Sequence, residues 1–182
     1  MESKEERVLE LFLNEPTKHW RFKDIVKNAD VSERAASVWL RKLVEESIIT
    51  RIKPDARMPY FTANYAHPNY DSRKRIYALE KMYFSGLLCR LQSLRNAKTV
   101  VIFGSFARGD WNTKSDIDVF ILGDPEDLRF GTVWKGFGRE VEIHAFRTEK
   151  DIKDIRSGLL KNVITGLFIK GSVHDLIKAA HE

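Results

Sequence analysis

An apolar run from Val100 to Phe103 stops at Gly104-Ser105, and a second, from Ile117 to Ile121, opens with Asp116 and carries Asp118. The first run has the length and β-branched bias of a buried strand. Gly104 and Ser105 let backbone N–H groups approach a ligand closely, and Ser105 can cap a short helix. A strand-to-helix corner of this kind is a natural anion cradle.

Asp116 and Asp118 sit one residue apart in a strand-like pattern, so both side chains are expected on one face, with Ile117, Val119 and Ile121 on the other. Two carboxylates side by side repel unless a cation lies between them. A hard divalent ion such as Mg²⁺ takes one or two carboxylates together with phosphate oxygens and water. A phosphate cradle joined to such a pair points to metal-assisted phosphoryl or nucleotidyl transfer.

Gly104-Ser105, Ala107-Arg108-Gly109 and Ser115-Asp116-Ile117-Asp118, with ten residues between Ser105 and Asp116, resemble the nucleotidyltransferase superfamily of DNA polymerase β, and most of all its minimal nucleotidyltransferases. The resemblance covers residues 98–150. It implies that Asp116 and Asp118 hold Mg²⁺ (or Mn²⁺). It implies also that Gly104, Ser105 and Ser115 contact the triphosphate of ATP or another NTP. Arg108 would offset charge on the leaving pyrophosphate. The family also needs a third carboxylate on a neighbouring strand. Arg139 to Phe146 alternates polar and apolar residues, which places Glu140, Glu142 and His144 on one face. Glu142, between Val141 and Ile143, matches the family's hydrophobic-Asp-hydrophobic pattern with Glu for the usual Asp, and would complete the catalytic and metal-binding set. Glu140 is the reserve candidate, and His144 reads as a half-exposed strand residue.

The first third of the chain has a different pattern. Short helices are expected over 5–13 and 22–28, with a brief strand at 20–22. A third helix follows Ser32, a good N-cap, with Ala36, Leu40 and Leu43 on its buried side. A hairpin is expected over 49–62. Three helices and a hairpin resemble a winged helix-turn-helix over residues 1–66. In that frame Glu33, Arg34, Ser37, Val38 and Arg41 face outward from the recognition helix, and Arg51, Lys53 and Arg57 decorate the wing, where they would meet DNA phosphates. The alternative is a module that binds protein, or one that caps the second domain.

Ile76, Leu79, Tyr83, Leu87, Leu91 and Leu94 step by three or four residues, which predicts one connector helix from Asp71 to Asn96 within a segment 67–97. Its apolar stripe reads either as a homodimer seam or docking spine, or as a surface packed on the transferase sheet. Of the formal net charge of +5, residues 67–97 carry +4. Arg73, Lys74 and Arg75 crowd the expected helix start, where a solvated face or a partner phosphate would accommodate them. Trp111 and Trp134 read as core residues rather than base-stacking ones. Asp124 to Asp127 reads as a solvated turn. Helices over 151–162 and 173–180 and a short strand at 168–170 complete the expected transferase domain, 98–182.

The expected fold is thus mixed α+β: a winged helix-turn-helix, a long connector helix, and a small mixed sheet flanked by helices. No apolar run reaches the length of a membrane span, the N-terminus is too charged for a signal peptide, and the single Cys89 cannot form an internal disulfide. These features lead to the expectation of a cytoplasmic protein without membrane association. Two functions compete. One is an enzyme that moves a nucleoside monophosphate, AMP from ATP, to an acceptor hydroxyl. By resemblance to minimal family members, that acceptor would include a partner protein such as a cognate toxin. The other is a transcription regulator whose transferase domain senses nucleotide without turnover. A pure interaction scaffold would leave the acid pair unexplained.

Overall fold

The computed structural model describes residues 3–55, 57–126, 128, 132–134, 137–148, 151 and 157–181. Asp127, and residues 152–156 of the helix expected from Asp151, lie outside them. The chain divides into two compact units, residues 1–76 and 77–182.

In the first unit, helix α1 (Lys4–Asn14) begins at a capping box, in which Ser3 Oγ accepts from the Glu6 amide and the Glu6 carboxylate accepts from the Ser3 amide. Helices α2 (Phe22–Asn28) and α3 (Glu33–Glu45) follow, the latter capped by Ser32. Strands β1 (Ile49–Ile52) and β2 (Tyr60–Ala63) pair antiparallel. Val8, Leu9, Phe12, Ile25, Leu40 and Leu43 are buried together with Ile49 and Phe61. The strand expected at 20–22 is a single bridge, Trp20 exchanging both backbone hydrogen bonds with Phe61 at 2.8 Å, because helix α2 already begins at Phe22.

The single connector helix is not observed. Helix α4 (Pro68–Phe84) stops, Gly86 adopts φ +77°, and helix α5 (Leu87–Gln92) starts afresh. Glycine enters this left-handed conformation without the Cβ penalty, so the sequence breaks where Ser85-Gly86 stands. The freed Ser85 carbonyl accepts from Trp134 Nε1 at 2.8 Å. The stripe is broken with the helix. Leu87, Leu91 and Leu94 are buried, whereas Ile76, Leu79 and Tyr83 are exposed, and α4 buries Tyr70, Lys74, Tyr77, Ala78 and Met82 instead. Lys74 is therefore not part of a solvated face, and Arg73 pairs with Glu5 at 3.9 Å.

The second unit is built on a mixed sheet of order β5-β6-β4-β3-β7. Strand β3 (Ala97–Phe103) leads through helix α6 (Gly104–Arg108) to β4 (Ile117–Gly123). Strands β5 (Thr132–Trp134) and β6 (Arg139–Phe146) follow, then helix α7 (Ser157–Ile164), β7 (Leu167–Lys170) and helix α8 (Val173–His181). Only β4 and β6 pair parallel; the other neighbours are antiparallel. Val101, Phe103, Phe120 and Leu122 form one core face with Val163 of α7 and Leu176 of α8. The turn expected to be merely solvated is tied down. Glu126 accepts from the Arg95 and Asn96 amides at 2.6 and 3.3 Å and lies 3.7 Å from Arg90. Among the described residues no helix is long and apolar enough to cross a membrane.

Candidate active site

The central strands set the positions. In the β3/β4 pair Phe103 lies opposite Asp118, and in the parallel β4/β6 pair Asp118 lies beside Glu142 and Phe120 beside His144. Alternation then puts Asp118, Glu142 and His144 on the face that carries Phe103 and Phe120. Their ligand atoms all lie within 4.8 Å of one another. Two carboxylate oxygens and an imidazole nitrogen at this spacing suit a divalent cation.

Gly104 explains how Asp118 fits. Its φ is +70°, and a Cβ there would run into the Asp118 carboxylate. The glycine thus serves both the turn out of β3 and the close approach of backbone to acid. Asp118 is half-buried, and burial, followed by the neighbouring Glu142 and then Asp116, raises its carboxyl above the ordinary carboxylate range. His144 and Arg108 pull in the opposite direction. Desolvation plus a second carboxylate is the pattern expected of a group waiting for positive charge.

The other expected residues are distributed around this centre. Strand β4 begins at Ile117, so Asp116 stands one residue before the strand; it is exposed, and its charge acts on Asp118. Its immediate neighbour is fixed elsewhere. Ser115 Oγ accepts from the Asn112 amide at 3.0 Å, and Arg139 Nη1 donates to the Asn112 and Ser115 carbonyls at 2.5 and 2.9 Å. Ser105 is half-buried in α6, and its carbonyl accepts from the Gly109 and Asp110 amides. Arg108 forms an exposed ion pair with Asp110 at 3.1 Å. Glu140 is exposed and opposes Val133 of β5.

Two residues here have contacts that the sequence reading did not assign. His144 is the half-exposed strand residue expected, and its Nε2 is 3.6 Å from Glu142 Oε1 while its ring meets Phe103 edge-on at 5.3 Å. The i, i+2 alternation with Glu142 was the available signal. Arg139 carried no such signal. Its guanidinium lies 5.5 Å from the ring centres of both Phe106 and Trp111, which stack on each other at 5.3 Å, and it holds the 112–115 loop against them. Trp111 is accordingly buried.

In the first unit Arg34, Ser37, Arg41, Arg51, Lys53 and Arg57 are all exposed. Ser37, Arg41 and Arg51 border a hollow of about 520 Å³ whose floor includes Leu40 and Phe61.

Comparison with known proteins adds an independent line. A family model described as a nucleotidyltransferase domain matches residues 84–180, just over half of the chain. A 27-residue stretch is 56% identical to a Methanocaldococcus jannaschii protein named "Putative protein adenylyltransferase MJ0604". That stretch covers 15% of this chain and 27% of the relative. No solved structure matches the chain.

Proposed function

Since the chain belongs to the nucleotidyltransferase domain family, we propose that it transfers AMP from ATP to an acceptor hydroxyl. The observation that carries this reading is the convergence of Asp118 and Glu142 across the parallel β4/β6 pair, with Gly104 backing Asp118. The adenylyl group is favoured by the short match to a protein named as an adenylyltransferase. Asp118 and Glu142 hold a divalent ion, Mg²⁺ or Mn²⁺, with Asp116 close enough to add its charge. When bound, that ion neutralises triphosphate oxygens and favours displacement at phosphorus. Gly104 and Ser105, at the corner between β3 and α6, face the triphosphate, with Ser115 alongside. Arg108 offsets charge on the departing pyrophosphate. Glu142 orients the acceptor hydroxyl, whose oxygen bonds the α-phosphorus as the bond to pyrophosphate breaks, the hydroxyl proton leaving to solvent.

The first unit is a winged helix-turn-helix in this reading, supported by three helices, an antiparallel hairpin and the exposed cations of α3 and the hairpin. Those cations would contact a DNA backbone. If that activity dominates, the chain is a regulator that binds nucleotide without turnover. ATP labelled at the α-phosphate tests the choice. Label on an acceptor, lost in Asp118→Asn, supports the enzyme; nucleotide bound and returned intact supports the regulator.

A further inference from the structure

The resemblance read from the sequence calls for three carboxylates, yet this chain brings an imidazole to the same spot as Asp118 and Glu142. We infer that His144 Nε2 is a direct ligand to the cation held by Asp118 and Glu142, so that the site selects a first-row transition ion such as Mn²⁺ over Mg²⁺. This rests on the nucleotidyl-transfer reading and goes beyond it by assigning the nitrogen and the ion class.

Four observations support it. The β4/β6 register puts Phe120 beside His144 and Asp118 beside Glu142, so His144 projects from the same face as both acids. The edge contact to Phe103 at 5.3 Å and 60° limits where the ring can go. Nε2 lies 3.6 Å from Glu142 Oε1, beyond hydrogen-bond length, so the two atoms converge without being bonded to each other. Adjacent ligands on a six-coordinate ion with bonds of about 2.1 Å are separated by about 3 Å, a distance that small side-chain adjustments reach from 3.6 Å. Both side chains are also open to solvent on one side, 28% for His144 and 37% for Glu142, which leaves room for ion and phosphate. Imidazole nitrogen raises affinity for first-row transition ions, least for Mn²⁺ and more for the later ones, whereas Mg²⁺ takes oxygen ligands and water.

The test is cation binding by the full chain, measured calorimetrically with Mn²⁺ and Mg²⁺ and, for Mn²⁺, by electron spin echo modulation from ligand nitrogen. Wild type should show imidazole nitrogen coupling and bind Mn²⁺ the more tightly. His144→Phe keeps a ring against Phe103 and should remove the coupling and lower the Mn²⁺-to-Mg²⁺ affinity ratio at least about tenfold, with Mg²⁺ binding weakened much less than Mn²⁺ binding. His144→Asp should restore tight binding with the preference moved toward Mg²⁺. Absence of nitrogen coupling in wild type, or an unchanged ratio in His144→Phe, would overturn the assignment while leaving the transferase reading intact. Cation binding that persists in an Asp118→Asn, Glu142→Gln double variant would overturn both, because the ion would then sit elsewhere.

Discussion

Gly104 lies so close to Asp118 that a single added methyl group would collide with the carboxylate, and it does so with φ at +70°. The strand-to-helix corner and the central acid are therefore one unit. Gly104→Ala is expected to destabilise the chain by roughly 1–3 kcal/mol through backbone strain alone, and to abolish cation binding by displacing Asp118. Calorimetric titration beside thermal unfolding measures both. Tight cation binding in a folded Gly104→Ala protein would separate the corner from the site.

Much of this was legible beforehand. The run from Val100 to Phe103, the turn at Gly104 and the buried run from Ile117 have strong local signals, and the alternation of β6 put Glu142 on one face with Glu140 and His144. What escaped depended on tertiary contacts. The helical period through Ile76, Leu79, Tyr83 and Leu87 continues smoothly in sequence, but Gly86 turns left-handed and Trp134, distant in the chain, bonds the carbonyl this frees. Asp116 stands just before β4, next to Ser115, whose carbonyl accepts from Arg139 of another strand. The alternation puts His144 on the face of Glu142, and the parallel pairing of β6 with β4 brings both beside Asp118.

Arg139 supplies the second prediction. Arg139→Met keeps apolar contact with Phe106 and Trp111 but removes the hydrogen bonds to the Asn112 and Ser115 carbonyls. The expected cost is about 1.5 kcal/mol, the low end for a charged donor because the pair is partly exposed. Amide exchange over residues 112–116 should accelerate, and transfer should fall about tenfold through misplacement of Asp116. Unchanged exchange would show that the loop holds itself.

Asp118 makes a pH prediction for the metal-free chain. Its carboxyl is raised above the ordinary value of 3.8, by burial and then by Glu142. The folded chain holds this proton more tightly than the unfolded one, so stability falls as pH rises through the window between the unfolded and the folded values, and the loss is complete above the folded one. In excess chelator, Asp118→Asn should therefore melt higher than wild type at pH 7, with the advantage fading as pH approaches 3.8. A lower melting temperature at pH 7 would mean that the carboxylate stabilises the fold.

Glu142 and Glu140 form a matched pair for kinetics, one half-buried in the cluster and one exposed. Glu142→Gln should weaken binding of the metal-bound nucleotide and reduce transfer by a larger factor, orders of magnitude, as expected when a ligand to the ion also acts in the transition state. Glu140→Gln should be nearly silent. Wild-type rates in both variants would remove Glu142 from the chemistry.

The first unit can be tested by salt dependence. Arg34→Ala on α3 should relax sequence preference for duplex DNA, and Lys53→Ala beside β1 should weaken binding to all sequences and reduce the salt slope by about 1. Failure to bind any duplex, including the gene's own upstream region, at low salt would favour a protein-docking module.

Nucleotidyl transfer supported by Asp118 and Glu142 is measured most directly by incubating the chain with a native extract, Mn²⁺ or Mg²⁺, and ATP labelled at the α-phosphate, with pyrophosphate release followed in parallel. A labelled acceptor should form in step with pyrophosphate, and both should be absent without divalent ion and in the Asp118→Asn, Glu142→Gln variant. ATP bound by wild type but recovered intact, with neither label transferred nor pyrophosphate released, would contradict it.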